Sequence, residues 1–378
     1  MGKYNVTLVA PSFSTVGPFG GFMAAGGHST LVSYHGLGSD QVLSLNAITA
    51  NGTFVTASPD TNSDLFFALR GGGPGTYGIV TSAIVKTHPP VNITTTNIAF
   101  SSLDTNVATF WKAIEVYFGL GGIIADAGGL DRTYVTPLNN SAVLNFTSSF
   151  EFPARSPQSV KDLLQPIVVS LANVGVNVTI PNPETKTWAS MVVGEGAAFR
   201  ERRFASRLIP RAVWDNRESL ASAIVAMRKV VEEGGYQVHG THLGPTLKVA
   251  GYPGNTSAAN PAFRTAIMHC MVYDFAPAVD IPPAVELADR ARLSRYTDFL
   301  RNVTAGSGSY MNEADVAEPN WQQSFFGSNY PRLLEIKRRW DPSGLFWAPS
   351  TVGSEAWAVR TAGGEPSQNG NLCRAQAG

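Results

Sequence analysis

Two runs of closely spaced glycines stand first among the residues of this chain that could do chemistry. One reads Val16-Gly17-Pro18-Phe19-Gly20-Gly21-Phe22-Met23-Ala24-Ala25-Gly26-Gly27-His28-Ser29, the other Arg70-Gly71-Gly72-Gly73-Pro74-Gly75-Thr76-Tyr77-Gly78-Ile79-Val80. Glycine lets a backbone approach a ligand with no Cβ in the way, and its N–H can meet phosphate oxygens. Gly20, Gly21, Gly26 and Gly27 are therefore candidates to line a bound ligand, with tight turns or close strand packing as the alternative use. No strand precedes the first run with dinucleotide-fold spacing and no acidic residue follows on a second strand, so it is not a Rossmann fingerprint. His28 is a hydrogen-bond donor inside that run. Asp40 is expected to fix the following loop by side-chain-to-backbone bonds.

A second chemical group lies near the carboxy terminus. Tyr310 and Asn312 alternate in a stretch expected to be extended, which puts both on one side. Tyr310 is either a group that handles a proton or a buried aromatic with a satisfied O–H. Asn329 and Tyr330 open the last expected helix, where Ser328 or Asn329 would also serve as a cap.

Composition excludes several classes. The 378 residues carry 28 Lys+Arg against 28 Asp+Glu, so no net field draws the chain to nucleic acid or an anionic membrane. Hydrophobic residues at 44% and charged residues at 15% describe a compact protein long enough for two cores. No run of eighteen apolar residues occurs, and no membrane span is expected. Cys270 and Cys373 could pair with each other or with a thiol outside this chain. CxxC motifs are absent and the six histidines are scattered, so no metal site is expected.

The elements that must position these groups follow from periodicity. Residues 42–49 and 54–58 flank Asn51-Gly52, which predicts a hairpin with a type I′ turn. Residues 64–69 form a short helix and 79–86 a buried strand, closed by His88-Pro89-Pro90. Strands are expected at 94–100, 142–151 and 265–275. Helices are expected at 106–118, at 156–173 with Ser156 as cap, at 219–233 and at 283–302.

Together the two glycine runs and the block Tyr310-Met311-Asn312-Glu313-Ala314-Asp315, continued by Trp321 to Phe346, resemble the FAD-binding oxidoreductases of the vanillyl-alcohol oxidase superfamily, PCMH-type, in their berberine-bridge-enzyme-like branch. The resemblance implies an α+β fold: the C-terminal half of a PCMH-type FAD-binding domain plus an antiparallel-sheet substrate domain covered by helices. Its boundaries would be a non-native start at 1–14, the flavin domain at 15–90, the substrate domain at 91–305, a returning C-terminal segment at 306–352 and a tail at 353–378. It implies FAD as cofactor, a small-molecule alcohol or carbohydrate substrate, and molecular oxygen as electron acceptor. The flavin would be met by Gly20, Gly21, Gly26, Gly27 and His28, by Gly78, Ile79 and Val80 at its adenine end, and by Asn329 and Tyr330. Tyr310 and Asn312 would face the reacting carbon, with Tyr310 accepting or orienting the substrate hydroxyl proton.

Three features depart from that pattern. Phe13 stands where many relatives have a flavin-linking cysteine, and Ala25 replaces a frequent glycine. The preceding unit with its flavin-linking histidine has no counterpart before Val16, so the chain reads as N-terminally truncated, its signal peptide lost with the missing part. Through that truncation strands 43–49 and 79–86 should expose apolar edges, and a non-catalytic remnant that retains no flavin is the competing expectation. Asn-x-Ser/Thr sequons at Asn5, Asn51, Asn92, Asn139, Asn145, Asn177, Asn255 and Asn302 point to a secreted glycoprotein, or else to polar decoration of a Thr-rich β surface.

Overall fold

The computed structural model describes residues 2–191, 202–361 and 370–375. Its first unit is an antiparallel sheet of β1 (Val42–Ile48), β2 (Phe54–Ala57) and β3 (Ile79–Val85), ordered β2-β1-β3. Leu45, Ala47 and Ala57 on one face pack against Leu65 and Phe66 of the helix Ser63–Leu69 and against Leu333 and Ile336 of the helix Tyr330–Trp340. The other face is open: Leu43, Phe54, Ile79 and Ile84 are exposed. The strand expected to be buried at 79–86 is thus an edge strand covered on one side only.

The hairpin forms, but not through a type I′ turn. Gly52 alone in the loop takes a positive φ, of 80°. The Asn51 carboxamide oxygen instead accepts from the Thr49 hydroxyl (2.6 Å) and the Thr53 N–H (3.1 Å), and Thr49 N–H donates to the Thr53 carbonyl (3.0 Å). That side-chain bonding favours a longer loop with one left-handed residue, the glycine.

The second unit is a seven-stranded, fully antiparallel sheet: β4 (Asn92–Ser101), β5 (Leu130–Leu138), β6 (Val143–Pro153), β7 (Glu184–Thr187), β8 (Arg203–Pro210), β9 (Gln237–His242) and β10 (Ala266–Asp274), in the order β7-β4-β6-β5-β9-β10-β8. Period-two alternation divides it sharply. Val135, Val238, Cys270 and Val272 point to one face, where Phe110, Ile114, Val160, Ile167, Met227 and Val230 from the helices Val107–Gly119, Pro157–Asn173 and Arg217–Glu232 close the core. Burying each such side chain contributes about 1.5–3 kcal/mol. Caps start these helices: Asn106, Ser156 and Asn216 accept from the N–H groups of Thr109, Ser159 and Ser219. The segment Val107–Asp126 is long and apolar enough to cross a membrane. It serves as core here, with Phe110, Ile114, Tyr117, Phe118 and Ile124 fully buried.

Residues 1–14 were expected to be foreign to the fold, yet Thr7 and Val9 are buried. Thr7 exchanges backbone hydrogen bonds with His88 (2.8 and 3.0 Å), and Val9 packs with Val91, Ile93 and Trp188. Nearby, His35 and His88 stack with ring centroids 3.6 Å apart. Burial, and then the facing His88, pull the His35 pKa down to about 4. Cys270 lies buried in β10 and Cys373 in the strand Asn371–Arg374; both are free thiols, so the pairing between them does not form.

Candidate active site

Opposite its helix-covered face, the large sheet borders a cavity of about 500 Å³. Arg132 and Tyr134 of β5, His239 and Thr241 of β9, Met271 and Tyr273 of β10 and Phe204 of β8 form one wall. They are the residues of opposite parity to the core positions, so the alternation that builds the core also builds the wall. His239 pairs in register with Tyr134 on one side and Met271 on the other. Its Nδ1–H donates to the Thr133 carbonyl (2.8 Å), which leaves Nε2 as the unprotonated nitrogen. Its ring stacks on Tyr134 at 4.3 Å. Burial lowers its pKa to about 4, so the ring is neutral near pH 7.

The facing wall comes from the first glycine run, where Phe13, Val16, Gly17, Gly21, Phe22 and His28 reach the cavity. A Cβ at Gly17, Gly20 or Gly21 would meet nothing within 4 Å, so this backbone is open to approach. Gly26 and Gly27 lack side chains for a different reason. A Cβ on Gly27 would lie 2.7 Å from the Phe22 carbonyl oxygen, whereas one on Gly26 would make only ordinary contacts with Phe263, Leu37 and Tyr310 (3.5–3.9 Å), and there the positive φ is what favours glycine. With φ of 119° and 80° these two glycines make the tight turn that delivers His28.

Tyr310, Asn312 and Glu313 complete the cavity. Residues 307–309 run beside β8: Leu208 N–H donates to the Gly308 carbonyl (2.7 Å) and the Ser309 hydroxyl to the Ser206 carbonyl (2.5 Å). Asn260 clamps the same segment through the Ser309 and Ser324 carbonyls (3.0 and 2.8 Å). Residues 310–313 are not extended as expected. Glu313 N–H donates back to the Tyr310 carbonyl (2.9 Å), closing a single turn over Met311–Glu313. Tyr310 and Asn312 share a side even so, because the Asn312 amide bridges the Tyr310 hydroxyl (2.7 Å) and the Gly21 carbonyl (2.9 Å). Burial, then the charge of Glu313, push the Tyr310 phenol well above its ordinary pKa. It stays protonated and can donate a hydrogen bond.

The histidines scattered in sequence converge here, against expectation. Glu313 Oε2 lies 3.0 Å from His28 Nε2 and 3.3 Å from His269 Nδ1, and the three donor atoms fall within 4.8 Å of one another. Burial alone would raise the Glu313 carboxyl. The attraction and hydrogen bond of His28, followed by His269, outweigh it and hold the pKa at about 2. His269 is fully buried, and both its ring nitrogens are without a hydrogen bond. Sequence reasoning passed over Glu313, His269, His239 and Tyr134. Glu313 stood beside Asn312 in the quoted block, and His269 was the polar residue inside an apolar strand.

The flavin contacts expected at Gly78, Val80, Asn329 and Tyr330 lie outside this cavity, as does the exposed Ile79. A Cβ on Gly78 would meet the Ile48 carbonyl at 2.8 Å, and Val80 pairs with Ala47 in the small sheet. The Asn329 amide donates weakly to the Ala258 and Ala259 carbonyls (3.3 and 3.4 Å) and its side chain caps no helix. The Tyr330 hydroxyl donates to Glu355 (2.6 Å). None of the four lines the cavity that holds His28, Gly21, Tyr310 and Asn312. Asp40 does fix its loop: it accepts from Leu37 N–H (2.9 Å) and takes both arms of Arg264 (2.7 and 2.8 Å).

A second carboxylate–histidine pair sits on the helix side of the sheet. Asp131 accepts from Tyr117 Oη (2.6 Å), His242 N–H (2.7 Å) and His242 Nδ1 (2.8 Å), while Trp214 Nε1 donates to His242 Nε2 (3.3 Å). Asp131 and His242 are both fully buried.

Comparison with known proteins places this architecture. The family described as berberine and berberine-like matches residues 309–353, the segment that carries Tyr310, Asn312 and Glu313. An FAD-linked oxidoreductase of Gibberella zeae is 32% identical over 98% of this chain and 63% of its own length. Over nearly its whole length this chain is thus similar to proteins named FAD-linked oxidoreductases, and over residues 309–353 to the berberine-like family. A VAO-type flavoprotein oxidase of Thermothelomyces thermophilus is 31% identical over 97% of the chain and 62% of its own length. The crystal structure of a VAO-type flavoprotein from Myceliophthora thermophila superposes with a TM-score of 0.88 at 27% identity, covering 99% of this chain and 66% of that one. The chain thus spans about 63% of the length of the curated relatives it matches. The berberine-bridge-like segment and the sheet behind it hold the polar corner of the cavity.

Proposed function

We propose that this chain forms the substrate-facing part of an FAD-dependent oxidoreductase that oxidises an alcohol or carbohydrate hydroxyl and passes the electrons to molecular oxygen. The observation that carries this reading is the convergence of Tyr310, Asn312 and His28 with the open backbone of Gly21 in one cavity. The residues fit a flavin ring system: bare backbone at Gly17 and Gly21 allows flat approach, and about 500 Å³ lies within the usual range of ligand sites. When bound, FAD supplies the hydride acceptor. The chain's own part is to bind, orient and shield. Tyr310, held protonated, donates a hydrogen bond that orients the substrate hydroxyl. Tyr134, His239 and Tyr273 wall off water on the sheet side.

Exposure of Asn5, Asn51, Asn92, Asn139, Asn177, Asn255 and Asn302 supports an extracellular glycoprotein, since a glycan needs a solvent-facing asparagine. Glycosidase treatment after secretion from a eukaryotic host should lower the mass by several glycans; an unchanged mass removes that support.

The test of the main reading is flavin uptake. The purified protein mixed with FAD should gain visible flavin absorbance after desalting, and candidate alcohols should bleach it without air. Tyr310→Phe should keep the uptake and slow the bleaching about 10–100-fold. Failure to retain any flavin at saturating FAD would sink the proposal for this chain.

A further inference from the structure

We propose that His28, His269 and Glu313 form a binding site for a divalent transition-metal ion, with zinc as the best match. The proposal stands on donor chemistry and spacing, and does not depend on flavin.

Two imidazoles and one carboxylate are the donor set of many zinc sites with an open position. Bonds of about 2.0–2.1 Å in tetrahedral geometry set neighbouring donors about 3.3–3.4 Å apart. Here Glu313 Oε2 lies 3.0 Å from His28 Nε2 and 3.3 Å from His269 Nδ1, with all three donor atoms inside 4.8 Å. The two carboxylate distances already lie within a few tenths of an ångström of that spacing, and the two imidazole nitrogens, within 4.8 Å of each other, would close by up to about 1.4 Å to seat an ion.

His269 supplies the independent observation. It is fully buried on β10, one step along the face from Met271 of the cavity wall, and neither ring nitrogen is hydrogen-bonded. A neutral imidazole always carries one N–H donor and one acceptor lone pair. Leaving such a group unsatisfied in the interior is costly, so it calls for a partner. The nearby Glu313 oxygen makes no hydrogen bond with it; an ion shared by both would satisfy the Nδ1 lone pair. His239 shows the contrast, since its Nδ1–H is anchored on the Thr133 carbonyl.

The three ligands come from three elements. The Gly26-Gly27 turn presents His28, β10 presents His269 and the Met311–Glu313 turn presents Glu313. His28 and Glu313 also line the cavity, so a fourth position would face it and accept water or a substrate hydroxyl. A hydroxyl bound there would ionise more easily than in water.

The test is zinc binding to the chelator-stripped, flavin-free protein by calorimetry, with metal content checked by elemental analysis. One equivalent should bind, and X-ray absorption should report two imidazole nitrogens on the metal. His28→Ala and Glu313→Gln should each weaken binding by at least about tenfold, while His35→Gln, outside the cavity, should not. Circular dichroism confirms that each variant is folded; His269, being fully buried, is left intact for that reason. Absence of zinc binding to the folded parent, or binding unchanged in both ligand variants, overturns the proposal. Flavin uptake is read separately by absorbance, so either idea can fail without the other.

Discussion

Two carboxylate–histidine clusters lie on opposite faces of one sheet, and they are built to different standards. Around Asp131 and His242 every polar atom named above has a partner, from Tyr117 at one end to Trp214 at the other. Around Glu313, His269 keeps two unsatisfied nitrogens and the carboxylate borders a cavity. A fully satisfied network rigidifies a core. An incomplete one, beside open space, has capacity left for something that is not protein. The same residue types therefore carry different meanings, and the count of partners separates them.

The largest effect expected from that contrast is on the complete cluster. Asp131→Ala should strand His242 and Tyr117 in the core and destabilise by about 3–5 kcal/mol in urea unfolding. A loss below about 1 kcal/mol would place both clusters in the same class. Gly27→Ala tests the turn that brings His28 into the open cluster. A φ of 80° and a Cβ only 2.7 Å from the Phe22 carbonyl should make it less stable by about 1–3 kcal/mol. If the melting temperature holds, the turn is more pliable than its geometry shows.

Glu313→Gln should destabilise by about 1–3 kcal/mol, less than Asp131→Ala, because it gives up the attraction of His28 and His269 that holds the carboxyl pKa low but keeps an oxygen for His28. A loss as large as that of Asp131→Ala would make the open cluster a structural one. A further effect, read through pH rather than by comparison of the clusters, lies outside both of them, at His35. Its folded pKa of about 4 is below the ordinary 6.5, so the unfolded chain binds the extra proton more readily. The associated stability is present above pH 6.5 and falls between pH 6.5 and 4. Melting temperature against pH should show that decline, and His35→Phe, which keeps the stack on His88, should lessen it while leaving the share contributed by His239, whose pKa is also lowered to about 4.

How much of this was legible depended on the range of the signal. Ser156 announced its helix because capping is local, and the apolar run in 265–275 announced β10. The strands Leu130–Leu138 and Gln237–His242 went unread: Thr133, Gly240 and His242 break the apolar rhythm on the helix side, each answering to a neighbour on another strand. Tyr310, Asn312, His28 and Gly21 were chosen from motifs, and all four border the cavity. His269 and Glu313 acquire meaning only when segments 241 and 285 residues from His28 meet it. No window of sequence contains that meeting. Gly26 and Gly27 were read as making room for a ligand, but at Gly27 the room is taken by Phe22, and both glycines take positive φ values that build the turn.

The parity of the large sheet has a consequence for how this protein can change. Residues 132, 134, 239, 271 and 273 belong to the cavity, while 135, 238, 270 and 272 belong to the interior. Replacement at the first set can therefore diversify what the pocket accepts while the scaffold stays untouched. Deleting one residue from β9 or β10 would exchange the two sets, sending imidazoles inward and aliphatics toward the solvent. Lineages and laboratory libraries alike should explore this pocket by exchange of side chains and keep their insertions for the loops.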